Sequence, residues 1–107
     1  MSRQYRVEVT PRALKDLDRL RDLRESAVRD LIDLEQDPYK GHPLSGSLRG
    51  VRALEMSLGG AAYRTAYVVL PDKQVCLVFM VGPHEGFYAR AERRAKSLLT
   101  AVRREIP

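Results

Sequence analysis

The chain of 107 residues contains no tryptophan, one cysteine and two histidines, and aromatic side chains make up only 7% of it. A single cysteine, Cys76, excludes an internal disulfide framework and a cysteine-based metal cage. Flanked by Val75 and Leu77, it reads as a buried strand residue in a reducing compartment. Two histidines without clustered thiols or carboxylates leave no structural zinc pattern. No apolar run approaches the roughly 18 residues of a membrane span, and the opening MSRQYRVEV lacks the apolar stretch of a signal peptide. Phosphate-loop, dinucleotide and HExxH patterns are missing, as is a nucleophile elbow for Ser-His-Asp chemistry. The expectation is a cytoplasmic protein that needs no cofactor, metal or membrane. Acid is also in short supply: 19 Lys and Arg face 14 Asp and Glu, a net charge of +5. That excess favours RNA, DNA or an acidic protein as partner.

A hydrophobic content of 44% rules out wholesale disorder, and the length fits a single domain over residues 1–107. Tyr5, Val7 and Val9 alternate as in a half-buried strand. Thr10-Pro11 then offers a cap and a first helical residue, followed by Ala13, Leu14, Leu17 and Leu20 at helical spacing. A second helical stripe joins Ala27, Val28, Leu31, Ile32 and Leu34. The acids interleaved among the arginines here, Asp16 and Asp18 among them, read as a solvated face. From Pro38 to Gly50 two prolines and three glycines predict irregular structure. Three strand-like runs follow, Val51–Leu58, Tyr63–Leu70 and Val75–Val81, the last continuously apolar as in a central strand covered on both faces. A final helix carries Tyr88, Ala91, Ala95, Leu98, Leu99 and Val102 on one stripe, with Arg90, Arg93, Arg94, Lys96, Arg103 and Arg104 opposite. The predicted fold is α+β: a small, mostly antiparallel four-stranded sheet with an N-terminal two-helix hairpin on one face and a C-terminal helix, in the order β-α-α-β-β-β-α.

Basic and aromatic residues near strand ends are the candidates for chemistry. Arg64, His84 and Tyr88 form one set; Lys40, His42, Arg49, Arg52 and Arg90 are candidate RNA contacts. These types suit metal-free RNA cleavage, which needs a base for the 2′-hydroxyl, a cation for the charged phosphorus and an acid for the leaving oxygen. Arginine grips phosphate bidentately, histidine exchanges protons near neutral pH, and tyrosine can stack on an unpaired base. Arg64 lies inside an apolar strand and so points either into a site or at a carboxylate such as Glu55. His84 can equally be a turn residue at the end of the apolar strand, and Tyr88 a core residue.

The order of these features resembles the RelE/ParE superfamily of toxins from bacterial type II toxin–antitoxin systems. The resemblance rests on the opening strand with PRALKDLDRL, the second helix ending in LEQDP, the loop PLSG, the strand YRTAYVV, and VFMVGPHEGFY before the last helix, from about Tyr5 to Leu98. It implies a twisted antiparallel sheet and an endoribonuclease acting on mRNA in the ribosome, inhibiting translation without a metal. Arg64 would stabilise the phosphate, His84 act as acid, base or phosphate ligand, and Tyr88 stack on a base or position the phosphate. Two positions depart from the ribonuclease pattern. Arg52 supplies at most one member of a basic pair, with Glu55 about where another belongs, and His84 replaces the commoner arginine. The rival branch is ParE-like, binding DNA gyrase without catalysis; a basic nucleic-acid-binding adaptor ranks last. The resemblance also implies a cognate antitoxin, and the face with Arg90, Arg93 and Arg94 suits an acidic strip, Arg93 and Arg94 being its candidate contacts.

Overall fold

Thr10 and Pro11 start the first helix as their chemistry dictates: the Thr10 hydroxyl accepts the Ala13 N–H at 3.2 Å, and proline fills the first turn, where no N–H is needed. In the computed structural model, which describes residues 4–102, this helix (α1, Pro11–Arg19) follows a short strand (β1, Arg6–Val9). A tight turn at Arg21–Leu23 leads to α2 (Arg24–Ile32). Then come β2 (His42–Pro43), β3 (Arg52–Leu58), β4 (Ala61–Leu70), β5 (Val75–Pro83) and α3 (Phe87–Val102). The α+β prediction holds, with one strand more than expected. The sheet order is β1-β5-β4-β3-β2, antiparallel except for β1 beside β5.

The additional strand lies in the segment predicted to be irregular. His42 and Pro43 pair with Ala53 and Arg52 at the sheet edge, the one place in a sheet where a proline is tolerated. Gly41 permits the approach, since a Cβ there would stand 2.6 Å from the Ala53 carbonyl oxygen. Tyr67 fastens the same loop from below. Its hydroxyl donates to the Pro38 carbonyl at 2.8 Å and accepts the Gly41 N–H at 2.9 Å. Burial pushes its pKa up, partly offset by Gly41 and Arg52.

Two apolar layers sandwich the sheet. Leu54, Met56 and Leu58 of β3 meet Ala13, Leu17, Ala27, Leu31 and Leu34 on the hairpin side, while Ala66, Val68 and Leu70 of β4 meet Phe87, Ala91 and Ala95 of α3. The continuously apolar strand, β5, is covered on both faces as predicted. Cys76 is core; burial raises its thiol to about 11. The helical stripes are narrower than periodicity suggested, because Leu14 and Ile32 are 44% and 50% exposed. On α3 the inward stripe begins at Phe87, and Tyr88 stands off it. Arg103 and Arg104, and the side chains of Leu99 and Val102, which the sequence also places on this helix, lie outside the described residues.

One irregularity decides what the end of β5 presents. Ala66 pairs with Met80 and Tyr67 with Val78, so Phe79 is an additional residue opposite β4. Before this β-bulge, Cys76 and Val78 face the hairpin; after it, Met80 packs with α3 and Val81 with the hairpin. The alternation has moved by one residue, as a bulge requires. Gly82 pairs with Arg64, and His84 donates its N–H to Ala62 at 3.0 Å. The side chain of His84 therefore emerges on the α3 face, beside Arg64.

Candidate active site

Arg64 projects from β4 with Glu55 of β3 opposite it on one side and Gly82 of β5 on the other. Its Nε–H is shared between the two Glu55 oxygens, at 2.7 and 2.9 Å. Its guanidinium carbon lies 4.9 Å from the centroid of the Tyr88 ring, a cation–π contact. Phe87 meets that ring edge-on, with centroids 5.8 Å apart. Both bonds to Glu55 leave from Nε, so the fork of terminal nitrogens is not engaged by that carboxylate. The Arg64 side chain is 15% exposed and that of Glu55 49%, so the carboxylate end of the pair meets water, which screens the attraction.

His84 sits in the turn between β5 and α3. Its carbonyl accepts the Phe87 N–H at 3.3 Å, and Gly86, at φ 65°, turns the chain into the helix. Arg90 clamps this turn from one helical turn further on, donating to the carbonyls of Pro83 and Glu85 at 3.0 and 2.8 Å. Arg64, His84 and Tyr88, with Glu85, Gly86 and Phe87, line one open depression of about 440 Å³. A phosphate there would meet a guanidinium, an imidazole and a phenol. Among the described residues, no three His, Cys, Asp or Glu side chains gather as a metal site would need.

The remaining predicted residues are dispersed. Arg52 lies on the hairpin face of β3, opposite in facing to Glu55 and Arg64, because side chains alternate along a strand. It donates to the carbonyls of Gly41 and Tyr39 and lies 5.2 Å from the Tyr39 ring centroid. As the candidate member of the basic pair on β3, Arg52 thus faces away from the depression that Arg64 lines. His42 is exposed on the edge strand, Lys40 pairs with Asp33 at 3.3 Å, and Arg49 is exposed in the loop before β3. Arg93 is exposed on α3. Arg94 corrects the reading of an exposed basic face: its side chain is 17% exposed and is paired with Asp16, itself 7% exposed. Asp16 likewise leaves the solvated face assigned to it. The signal was in its spacing, since it follows Ala13 by three residues and lies beside Leu17 on the inward stripe.

Residues 7–92 match the model of the ParE-like toxins of type II bacterial toxin–antitoxin systems. The chain belongs to this family. No curated protein sequence matches it. Among solved structures, this ParE-like toxin is similar to a double arginine-to-alanine mutant of E. coli RelE in the free state. That likeness has a TM-score of 0.69 and 25% identity, covering 88% of this chain and 97% of the other. It is also similar to a chain of the Mycobacterium tuberculosis RelBE2 toxin–antitoxin complex, with TM-score 0.69, 23% identity, and 78% and 95% covered. A third is a chain of the intact E. coli RelBE toxin–antitoxin complex, with TM-score 0.55, 26% identity, and 76% and 98% covered. The predicted superfamily and fold are thus established, and membership of such a system makes a cognate antitoxin the partner of this toxin. No helix among the described residues is long and apolar enough to cross a membrane.

Proposed function

We propose that this ParE-like toxin is an endoribonuclease that cleaves mRNA at the ribosome, without a metal ion, and so inhibits translation in the cytoplasm. The observation that carries this reading is the convergence of Arg64, His84 and Tyr88 on one open depression. The terminal nitrogens of Arg64 bind the scissile phosphate and stabilise the charge that grows on it. Glu55 and the Tyr88 ring hold the guanidinium in one orientation. His84 exchanges a proton with the attacking 2′-hydroxyl or the leaving 5′-oxygen, and the exposed side of Tyr88 takes a base. His42, Lys40 and Arg49 serve as outlying contacts for RNA phosphates, and the cognate antitoxin meets the exposed Arg93.

The test is cleavage of an mRNA on translating ribosomes in chelator, comparing wild type with Arg64→Ala and His84→Ala after each is checked for folding. A loss of about a hundredfold in either variant fits removal of a catalytic group. A histidine acting in proton transfer also leaves an ionisation in the rate profile between about pH 5 and 8; a flat profile would remove that role from His84.

One observation favours a second reading. The carboxylate of Glu55 already answers the charge of Arg64, which a toxin that merely binds DNA gyrase could tolerate. On that reading Arg64→Ala and His84→Ala remain toxic, and gyrase supercoiling falls while RNA stays intact.

A further inference from the structure

The bulge at Phe79 has a second effect, on the edge of β5 that faces away from β4. Strand β1 covers that edge only as far as Val78, whose carbonyl accepts the Thr10 N–H at 2.9 Å. Beyond it, the backbone groups pointing outward belong to Phe79, Val81 and Pro83, and no strand among the described residues meets them. Side chains do. The Phe79 carbonyl accepts from Arg94 Nη1 at 3.0 Å, the Val81 N–H donates to Asp16 Oδ2 at 3.0 Å, and the Pro83 carbonyl accepts from Arg90 Nη2 at 3.0 Å. Asp16 and Arg94 close the arrangement by pairing with each other, Nη1 to Oδ2 and Nη2 to Oδ1. A donor from α3 and an acceptor from α1 thus reproduce the pattern a neighbouring strand would offer.

We infer that Asp16 and Arg94 are positioning residues of the site: they hold β5 in its bulged register and thereby keep His84 on the face of Arg64. The inference rests on the ribonuclease reading only for its catalytic consequence. An unbulged β5 would restore plain alternation and turn position 84 toward the hairpin. Beyond the end of β1 the bulged register is the one that turns the Phe79 carbonyl and the Val81 N–H outward, and buried groups left unsatisfied there would oppose that register. Supplying both partners from one ion pair removes that opposition. The pair is also the link through which α1 and α3 both grip β5 just ahead of Gly82.

The test uses the full chain with Arg94→Met, which keeps the apolar stem of the side chain but removes its donors, and Asp16→Asn, which keeps an acceptor for Val81. Register is read by NMR from the Hα–Hα contact between Thr65 and Val81, a pair whose close approach follows from the outward N–H of Val81. Arg94→Met is expected to weaken that contact and to speed exchange of the Val81 amide by about tenfold or more. Its kcat on RNA is expected to fall by up to about a hundredfold, as for a displaced catalytic group, with KM less affected. Arg94→Lys, with a single donor nitrogen and the charge, restores part of both. Wild-type register in folded Arg94→Met and Asp16→Asn overturns the inference, whatever the activity. If Arg94→Met does not fold, the Thr65–Val81 contact in Asp16→Asn, which lacks the charge that holds Arg94, decides alone: a weakened contact supports the inference and a wild-type contact overturns it. If wild type leaves RNA intact, the ribonuclease reading fails and the register measurements still judge the pair.

Discussion

Arg52 and Arg64 occupy neighbouring strands, and each lies against a tyrosine ring at about the same distance, 5.2 Å from Tyr39 and 4.9 Å from Tyr88. Their surroundings differ in which donors are taken. Arg52 commits Nε and Nη2 to the backbone of the Tyr39–Gly41 loop, beside the buried Tyr67 hydroxyl that binds the same loop. Arg64 commits Nε to one half-exposed carboxylate and faces the open depression. An arginine whose donors end on carbonyls holds the chain together. One held by a single edge is oriented, with its terminal fork available to an anion.

That contrast can be broken in four ways. The largest effect is expected from Arg64→Ala, which lowers RNA cleavage about a hundredfold while thermal unfolding stays near wild type. A large loss of stability there would make Arg64 structural after all. Arg52→Ala is the converse: a loss of about 1–2 kcal/mol in denaturant unfolding, from carbonyls left without their donor, with cleavage per folded molecule nearly intact. Alkaline pH attacks the Arg52 side next. Tyr67 and Cys76 both have raised folded-state pKa values, so the folded protein retains protons that the unfolded chain releases. Stability contributed by these groups is present at neutral pH and falls as pH rises through 9.0 toward about 11 for Cys76, and over a higher range for Tyr67. Denaturant midpoints measured from pH 8 to 11 would show the decline, and Tyr67→Phe would lessen it. The smallest effect is expected from Glu55→Gln. It removes a half-exposed countercharge worth at most about 1 kcal/mol, so the KM for RNA drops by no more than about fivefold. A drop in kcat instead would give Glu55 a part in the chemistry.

How much of this was legible beforehand depends on the kind of signal. Alternation in β3, the cap at Thr10 and the unbroken apolar run of β5 each reflect a local rule, and each led to the right element. The triad of Arg64, His84 and Tyr88 came from resemblance and residue type, and the fold brings the three together. The bulge was hidden because Val75–Val81 is apolar at every position, so no polar residue marks which side faces where. For the same reason nothing in the run revealed that Gly82 would face Arg64. Strand β2 was missed because two residues carry no period, and its pairing depends on Gly41 and Tyr67, 26 positions apart. Arg94 was misplaced on a helical wheel that treats every charge as solvent-seeking. Its partner, Asp16, lies 78 positions away, beyond the reach of any local pattern.

The edge of β5 has a consequence for the molecule in company. Exposed strand edges are templates on which other chains zip, and proteins blunt them with charge, proline or cover. Here the groups that would seed such pairing are already taken by Arg94, Asp16 and Arg90, and Pro83 has no N–H to offer. Three side chains thus close this stretch of β5 to pairing. A toxin released from its antitoxin in a crowded cell needs that protection as much as it needs a site, because a molecule that aggregates poisons nothing.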